Sequence, residues 1–228
     1  MDEEHDFVST VRAWFPEGKF KELTAEAWIY IETPPDPNAF WSVIGQEDRF
    51  NLIIHGAKGG NPGAWVHGEG VISPIVVGSV PASKGRWVHI AAVFNANAGY
   101  GMNGMGGNWL KPGGNILESD KPLIIGGIIP QDLNLCHFAG EPMRFKGYID
   151  EVRISDVARY VGVRYEVPKG RFEADEHTIS LWHFDEGPES IRYIDASGNG
   201  YTLWRNGFFE IDPEDKVTTI WGKLKRGH

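Results

Sequence analysis

Trp87-Val88-His89-Ile90-Ala91-Ala92-Val93-Phe94 is largely apolar in both of its alternating side-chain sets. Successive side chains of a strand point to opposite faces, so a strand apolar on both lies inside a layer covered on each side. Working outward from it, strand-like runs bounded by turn residues fall at 25–31, 41–44, 50–55, 70–77, 123–125, 145–154, 179–184 and 201–204. Short strands at this spacing, turned by 29 Gly and 14 Pro, build a sandwich or a barrel. In 149–154 alternation sets Ile149, Glu151 and Arg153 against Asp150, Val152 and Ile154, which predicts that the first face is solvated beyond Ile149. No 12-residue stretch holds a helical period, the best being the short segment 155–160.

With 228 residues, 41% of them hydrophobic, and nine Trp, the chain can fill a sizeable core, and sandwiches of this length fold as one unit. The expectation is a single domain over 1–228, with a core at 20–160, a connector at 161–178 and completing strands at 179–228. A net charge of −9 repels phosphate backbones, and the densest basic run is Lys223, Lys225 and Arg226, so nucleic acid is not the expected partner. No apolar run approaches the roughly 18 to 20 residues of a membrane span, and Met1 leads into Asp2, Glu3 and Glu4. An export signal is therefore expected outside this sequence. The single Cys136 forms no internal disulfide and supplies one thiol.

Two segments read as loops. Residues 95–120 are Gly- and Asn-rich, with Asn103-Gly104 a type I′ hairpin signal, and 161–176 carries alternating charge with Pro168 and Gly170. The first is unusual for an inert linker because it carries Tyr100 and Trp109. Sugar rings stack their C–H faces on Trp and Tyr, while Asn and His bond the hydroxyls. Tyr100, Asn103, Asn108 and Trp109, with Trp65 and His67, are accordingly the candidate ligand-binding residues. The competing reading makes Trp65 and Trp109 covers for one end of the core.

Four segments carry a family resemblance: Leu23-Thr24-Ala25-Glu26-Ala27-Trp28-Ile29-Tyr30; the octapeptide 87–94; Gly147-Tyr148-Ile149-Asp150-Glu151-Val152-Arg153-Ile154-Ser155; and Leu181-Trp182-His183-Phe184-Asp185-Glu186-Gly187 followed by Asp195-Ala196-Ser197-Gly198-Asn199-Gly200. Together they resemble the laminin G-like, concanavalin A-like jelly-roll domains of bacterial surface proteins. The resemblance implies an all-β fold of two antiparallel sheets and a secreted or cell-surface location. In that family the last of these segments usually opens the domain, whereas here it closes the chain. This predicts a permuted order in which the tail from 179 completes the sandwich, with Asp6 near Trp221; the rival is a partial second repeat.

The resemblance also implies a structural calcium held in part by Asp150. Asp195 and Asn199 in the Asp-Ala-Ser-Gly-Asn-Gly turn could add oxygen ligands, or could simply shape the turn through backbone hydrogen bonds.

Hydrolysis by a sandwich glucanase needs paired carboxylates pointing into one cleft. Glu173-Ala174-Asp175-Glu176 is similar but mis-spaced, and Asp185-Glu186 are adjacent and diverge. The eight His show no helix-borne zinc spacing, and Cys136-His137 lacks an oxyanion-hole motif. No catalytic residue is expected. The expected function is non-catalytic recognition of an extracellular glycan or protein surface by a monomeric module; the alternatives are a ligand-free spacer and, more distantly, a glycoside hydrolase.

Overall fold

The computed structural model describes residues 7–10, 20–33, 35–56, 59–69, 71–72, 76–77, 82, 84–95, 99–103, 109–110, 114–127, 144–160, 165–187, 189–205, 209–211 and 217–219. Among these residues there is no helix, and the regular structure is all β. The strands are β1 (Val8–Thr10), β2 (Glu22–Tyr30), β3 (Phe40–Gln46), β4 (Phe50–His55), β5 (Asn61–Gly68), β6 (Val71–Ile72) and β7 (Val76–Val77). They continue as β8 (Trp87–Asn95), β9 (Gly99–Asn103), β10 (Trp109–Leu110), β11 (Leu123–Ile125) and β12 (Tyr148–Ser155). The tail adds β13 (Thr178–Trp182), β14 (Arg192–Tyr193), β15 (Leu203–Arg205), β16 (Phe209–Ile211) and β17 (Val217–Thr219).

Two antiparallel sheets hold most of these strands. One runs β14-β15-β1-β11-β3-β4-β5-β6, with β7 also on β5, and the other runs β10-β9-β8-β2-β12-β13. Strands β16 and β17 pair with each other. The core lies between the sheets. Leu23, Ala25, Ala27 and Ile29 of β2 and Val88, Ile90, Ala92 and Phe94 of β8 meet Phe50, Leu52 and Ile54 of β4 and Leu123 and Ile125 of β11. Each fully buried Leu, Ile or Phe removes enough apolar surface from water to contribute about 1.5–3 kcal/mol, which is why period-2 sequences settle with this face inward.

The tail does complete the sandwich. Strand β13 pairs with β12, and β15 pairs with β1, joining Val8 to Arg205 and Thr10 to Leu203. Asp6 and Trp221 lie outside the described residues.

Two expectations change. Part of the presumed loop at 95–120 is strand, since β9 pairs with β8 and with β10. Residues 155–160, the segment with the best helical period, are not helical, and Ala158 N and Arg159 N bond side chains of β2. The alternation of 149–154 is broken by a bulge between Asp150 and Arg153, with Glu151 at φ 49°. The extra residue puts Asp150 and Arg153 on the same face, and Arg153 is partly buried against Glu26 rather than fully solvated.

Candidate functional site

Because Leu23, Ala25, Ala27 and Ile29 face the core, Glu22, Thr24, Glu26, Trp28 and Tyr30 stand on the outer face of the six-stranded sheet. Strand β8 pairs with β2 in unbroken register, placing Trp87 opposite Tyr30, His89 opposite Trp28 and Ala91 opposite Glu26. On the other side β12 sets Tyr148 against Tyr30, Asp150 against Trp28 and Arg153 against Glu26. The outer face is thus a grid of cross-strand rows, aromatic at one end and charged in the middle.

The middle is sealed. Glu26 has no exposed surface and His89 only 2%. His89 Nε2 donates to Glu26 Oε2 (2.9 Å), Tyr160 donates its hydroxyl to the same oxygen (2.5 Å), and Arg153 Nε donates to Oε1 (2.9 Å). With Nε2–H committed to the carboxylate, the Nδ1 of a neutral ring accepts from the Tyr165 hydroxyl (2.5 Å). Burial alone would raise the Glu26 carboxyl, but the His89 hydrogen bond and the Arg153 charge outweigh it and hold the group below the usual range.

Residues 156–160 and 165–176 form the cover. Thr24 Oγ1 donates to Val157 O (2.6 Å), Arg159 forks onto both Asp175 oxygens (2.6 and 2.8 Å), and Phe172 lies 4.5 Å from the Arg153 guanidinium. The hydrogen bonds from Arg159 hold Asp175 well below the ordinary carboxylate range.

The end row is open. Trp87 is 45% exposed and Tyr148 57%, with Tyr30 half-buried between them. Ring centroids are 5.8 Å apart from Trp87 to Tyr30 and again from Tyr30 to Tyr148, at interplanar angles of 60° and 65°. Gly147 lets Tyr148 take this place, because a Cβ there would sit 2.1 Å from the Tyr30 carbonyl oxygen. Large exposed rings gathered in a row differ from the scattered apolar residues of an ordinary surface.

Beside Tyr148 a pocket of about 540 Å³ opens, lined by Glu32, Arg144, Phe145, Lys146 and Phe184 among others. Tyr148 donates its hydroxyl to Glu32 Oε1 at 3.3 Å, joining row and pocket. Gly85 N donates to Ile31 O (2.8 Å), which brings exposed Lys84 and Arg86 to the opposite flank of the row.

The residues singled out from sequence are elsewhere. Trp65 and His67 are half-buried on β5 in the other sheet, and burial lowers the His67 pKa. Tyr100 and Asn103 lie in β9 and Trp109 in β10, at the β8 edge of the six-stranded sheet. Asn108, Cys136 and His137 lie outside the described residues. Trp87, Tyr30 and Tyr148 were missed because only strand pairing joins positions so far apart in sequence; exposed rings at strand ends were their one local signal.

Asp195 accepts backbone N–H bonds from Leu181 (3.0 Å), Ser197 (2.9 Å) and Tyr201 (3.0 Å), and Asn199 Nδ2 donates to Thr178 O (3.1 Å) and Ile179 O (2.9 Å). These are the bonds of a turn tied onto β13. Asp150 belongs to another neighbourhood, with burial first and then Glu151 and Asp185 pushing its pKa up. Among the described residues no three His, Cys, Asp or Glu side chains gather as a metal-ligand group. The turn reading accounts for Asp195 and Asn199 without a cation.

The comparisons agree with this architecture. The laminin G model of the concanavalin A-like lectin/glucanases superfamily matches residues 4–161. A Bacteroides ovatus ATCC 8483 protein to which carbohydrate binding is ascribed superposes with a TM-score of 0.57 at 20% identity, over 95% of this chain and 62% of its own. The heptameric SAP-like pentraxin of Limulus polyphemus superposes with a TM-score of 0.50 at 13% identity, over 70% of this chain and 74% of its own. No curated protein matches the chain in sequence.

Proposed function

We propose that this chain, which belongs to the concanavalin A-like lectin/glucanases superfamily, is a non-catalytic recognition module that binds an extracellular glycan on the outer face of its six-stranded sheet. The observation that carries the reading is the in-register row Trp87, Tyr30 and Tyr148 on three adjacent strands. Each ring offers a face or edge to the C–H groups of one sugar, and the 60° and 65° tilts suit a single twisted chain better than a flat crystalline surface. Asp150 and Glu32 stand beside the rings as acceptors for hydroxyls.

A non-catalytic role is supported by how the nearby carboxylates are used. Glu26, at the middle of the sheet face, is enclosed by His89, Arg153 and Tyr160. Asp175 is held by Arg159 and by Thr178. A glycosidase acid or base must reach the glycosidic oxygen or a water beside it. The carbohydrate binding ascribed to the Bacteroides ovatus protein fits the same reading.

Affinity electrophoresis through gels containing soluble polysaccharides tests it. Retardation by at least one polysaccharide is expected, and it is expected to disappear in Trp87→Ala. Free migration through every polysaccharide of a broad panel would remove the proposal.

A further inference from the structure

We infer that the site selects glycans bearing anionic groups, a carboxylate or a sulfate, with one such group seated between Arg144 and Lys146. This rests on the glycan reading of the aromatic row. The chain carries a net charge of −9, yet the sign reverses around the row. Lys84 and Arg86 flank Trp87, and Arg144 and Lys146 lead into Tyr148. Glu32 lines the pocket with Arg144 and Lys146, so two cations face one carboxylate. Among the described residues Lys146 has no ion-pair partner.

The parts divide the work by chemistry. Tyr148 and Trp87 take the apolar faces of the sugar rings. Arg144 presents a planar fork that matches a carboxylate or sulfate, and Lys146 adds a mobile point charge at the rim. Glu32, already accepting from Tyr148, suits a sugar hydroxyl rather than a second anion. Phe145 and Phe184 supply apolar lining, and about 540 Å³ falls in the range of small-ligand sites. Single-stranded nucleic acid also combines rings with charge, but it is held along a basic groove that tracks many phosphates. Here the basic residues are confined to the flanks of one row, and two carboxylates, Glu32 and Asp150, stand beside it.

Isothermal titration with matched polysaccharides separates the outcomes. The probes are a polyuronate and its carboxyl-reduced form, a sulfated galactan and its desulfated form, and oligo(dT). The expected result is that an anionic member binds about tenfold more tightly than its neutral counterpart, and that the advantage falls to about twofold or less in Arg144→Gln/Lys146→Gln. Whichever pair shows the advantage identifies the anion. Lys146→Gln alone, at an exposed site, provides the same test should the double variant fold poorly. Equal binding of neutral and anionic members, or an advantage that survives the substitutions, would overturn the charge selection and leave the glycan reading intact. Binding to no polysaccharide would overturn both, and preference for oligo(dT) over every polysaccharide would replace them with a nucleic-acid site.

Discussion

Two rows on one sheet face, four residues apart on β2 and β8, have opposite fates. At the level of Glu26 the side chains are charged and buried; at the level of Tyr30 they are aromatic and open. The strands and pairing partners are the same, so strand propensity does not distinguish them. What distinguishes them is residues 156–160 and 165–176, which cover the first row and leave the second bare. A buried ion cluster held by its neighbours contributes order at one fixed geometry, whereas exposed rings contribute little to stability and are available for contact. In the proposed function, the middle of the face carries stability and its end carries recognition.

The largest effect is expected at the buried row. Glu26→Gln removes the one carboxylate that Arg153 and His89 both face, and should cost about 3 kcal/mol in urea unfolding, because it leaves a buried guanidinium without its counter-charge. A loss within experimental error would mean that the cover, not the charge, holds this region.

Next is the glycine that leads into β12 beside the aromatic row. Gly147→Ala drives a Cβ into the Tyr30 carbonyl and should cost about 1–3 kcal/mol, as overpacking does, while displacing Tyr148 from its row. Glycan affinity should fall further than the lost stability alone explains; unchanged affinity would mean that Tyr148 is not part of the contact.

Acid gives a smaller and graded effect. The folded-state pKa of Glu26 is depressed below its ordinary value of 4.5, so its contribution is present above that value and lost as pH falls through the lower folded one. Asp175 acts with the same sign, weakened by solvent because its side chain is 46% exposed. Unfolding free energies from pH 6 to pH 3 should therefore decline, and the decline should be shallower in Glu26→Gln. Parallel curves would remove Glu26 from the account.

Much of the architecture was legible in local pattern. The run at 25–31 read as a strand, the two-faced apolarity of 87–94 named a core strand, and the run at 145–154 named β12 as a third. The closing of the sandwich by the tail was also readable, from motif order. What was not legible depended on partners distant in the chain. Tyr160 reaches Glu26 across 134 positions, so a polar outer face read as solvent-facing, and a connector read as inert although Tyr165 and Phe172 anchor it. The aromatic row has the same cause, since Tyr30, Trp87 and Tyr148 come together only through two strand pairings. The loop aromatics that composition favoured, Tyr100 and Trp109, fell instead in β9 and in the edge strand β10.

The smallest expected change in stability accompanies the most direct test. Trp87 is exposed at a strand end, so Trp87→Ala should shift stability by no more than about 0.5 kcal/mol. Titrating wild type, Trp87→Ala and Trp65→Ala in parallel with the polysaccharide that best retards the protein distinguishes the two sheets as the binding face. The account predicts that Trp87→Ala abolishes binding with its melting temperature preserved, while Trp65→Ala binds as wild type does. Undiminished binding by Trp87→Ala, or its loss in Trp65→Ala alone, would contradict it.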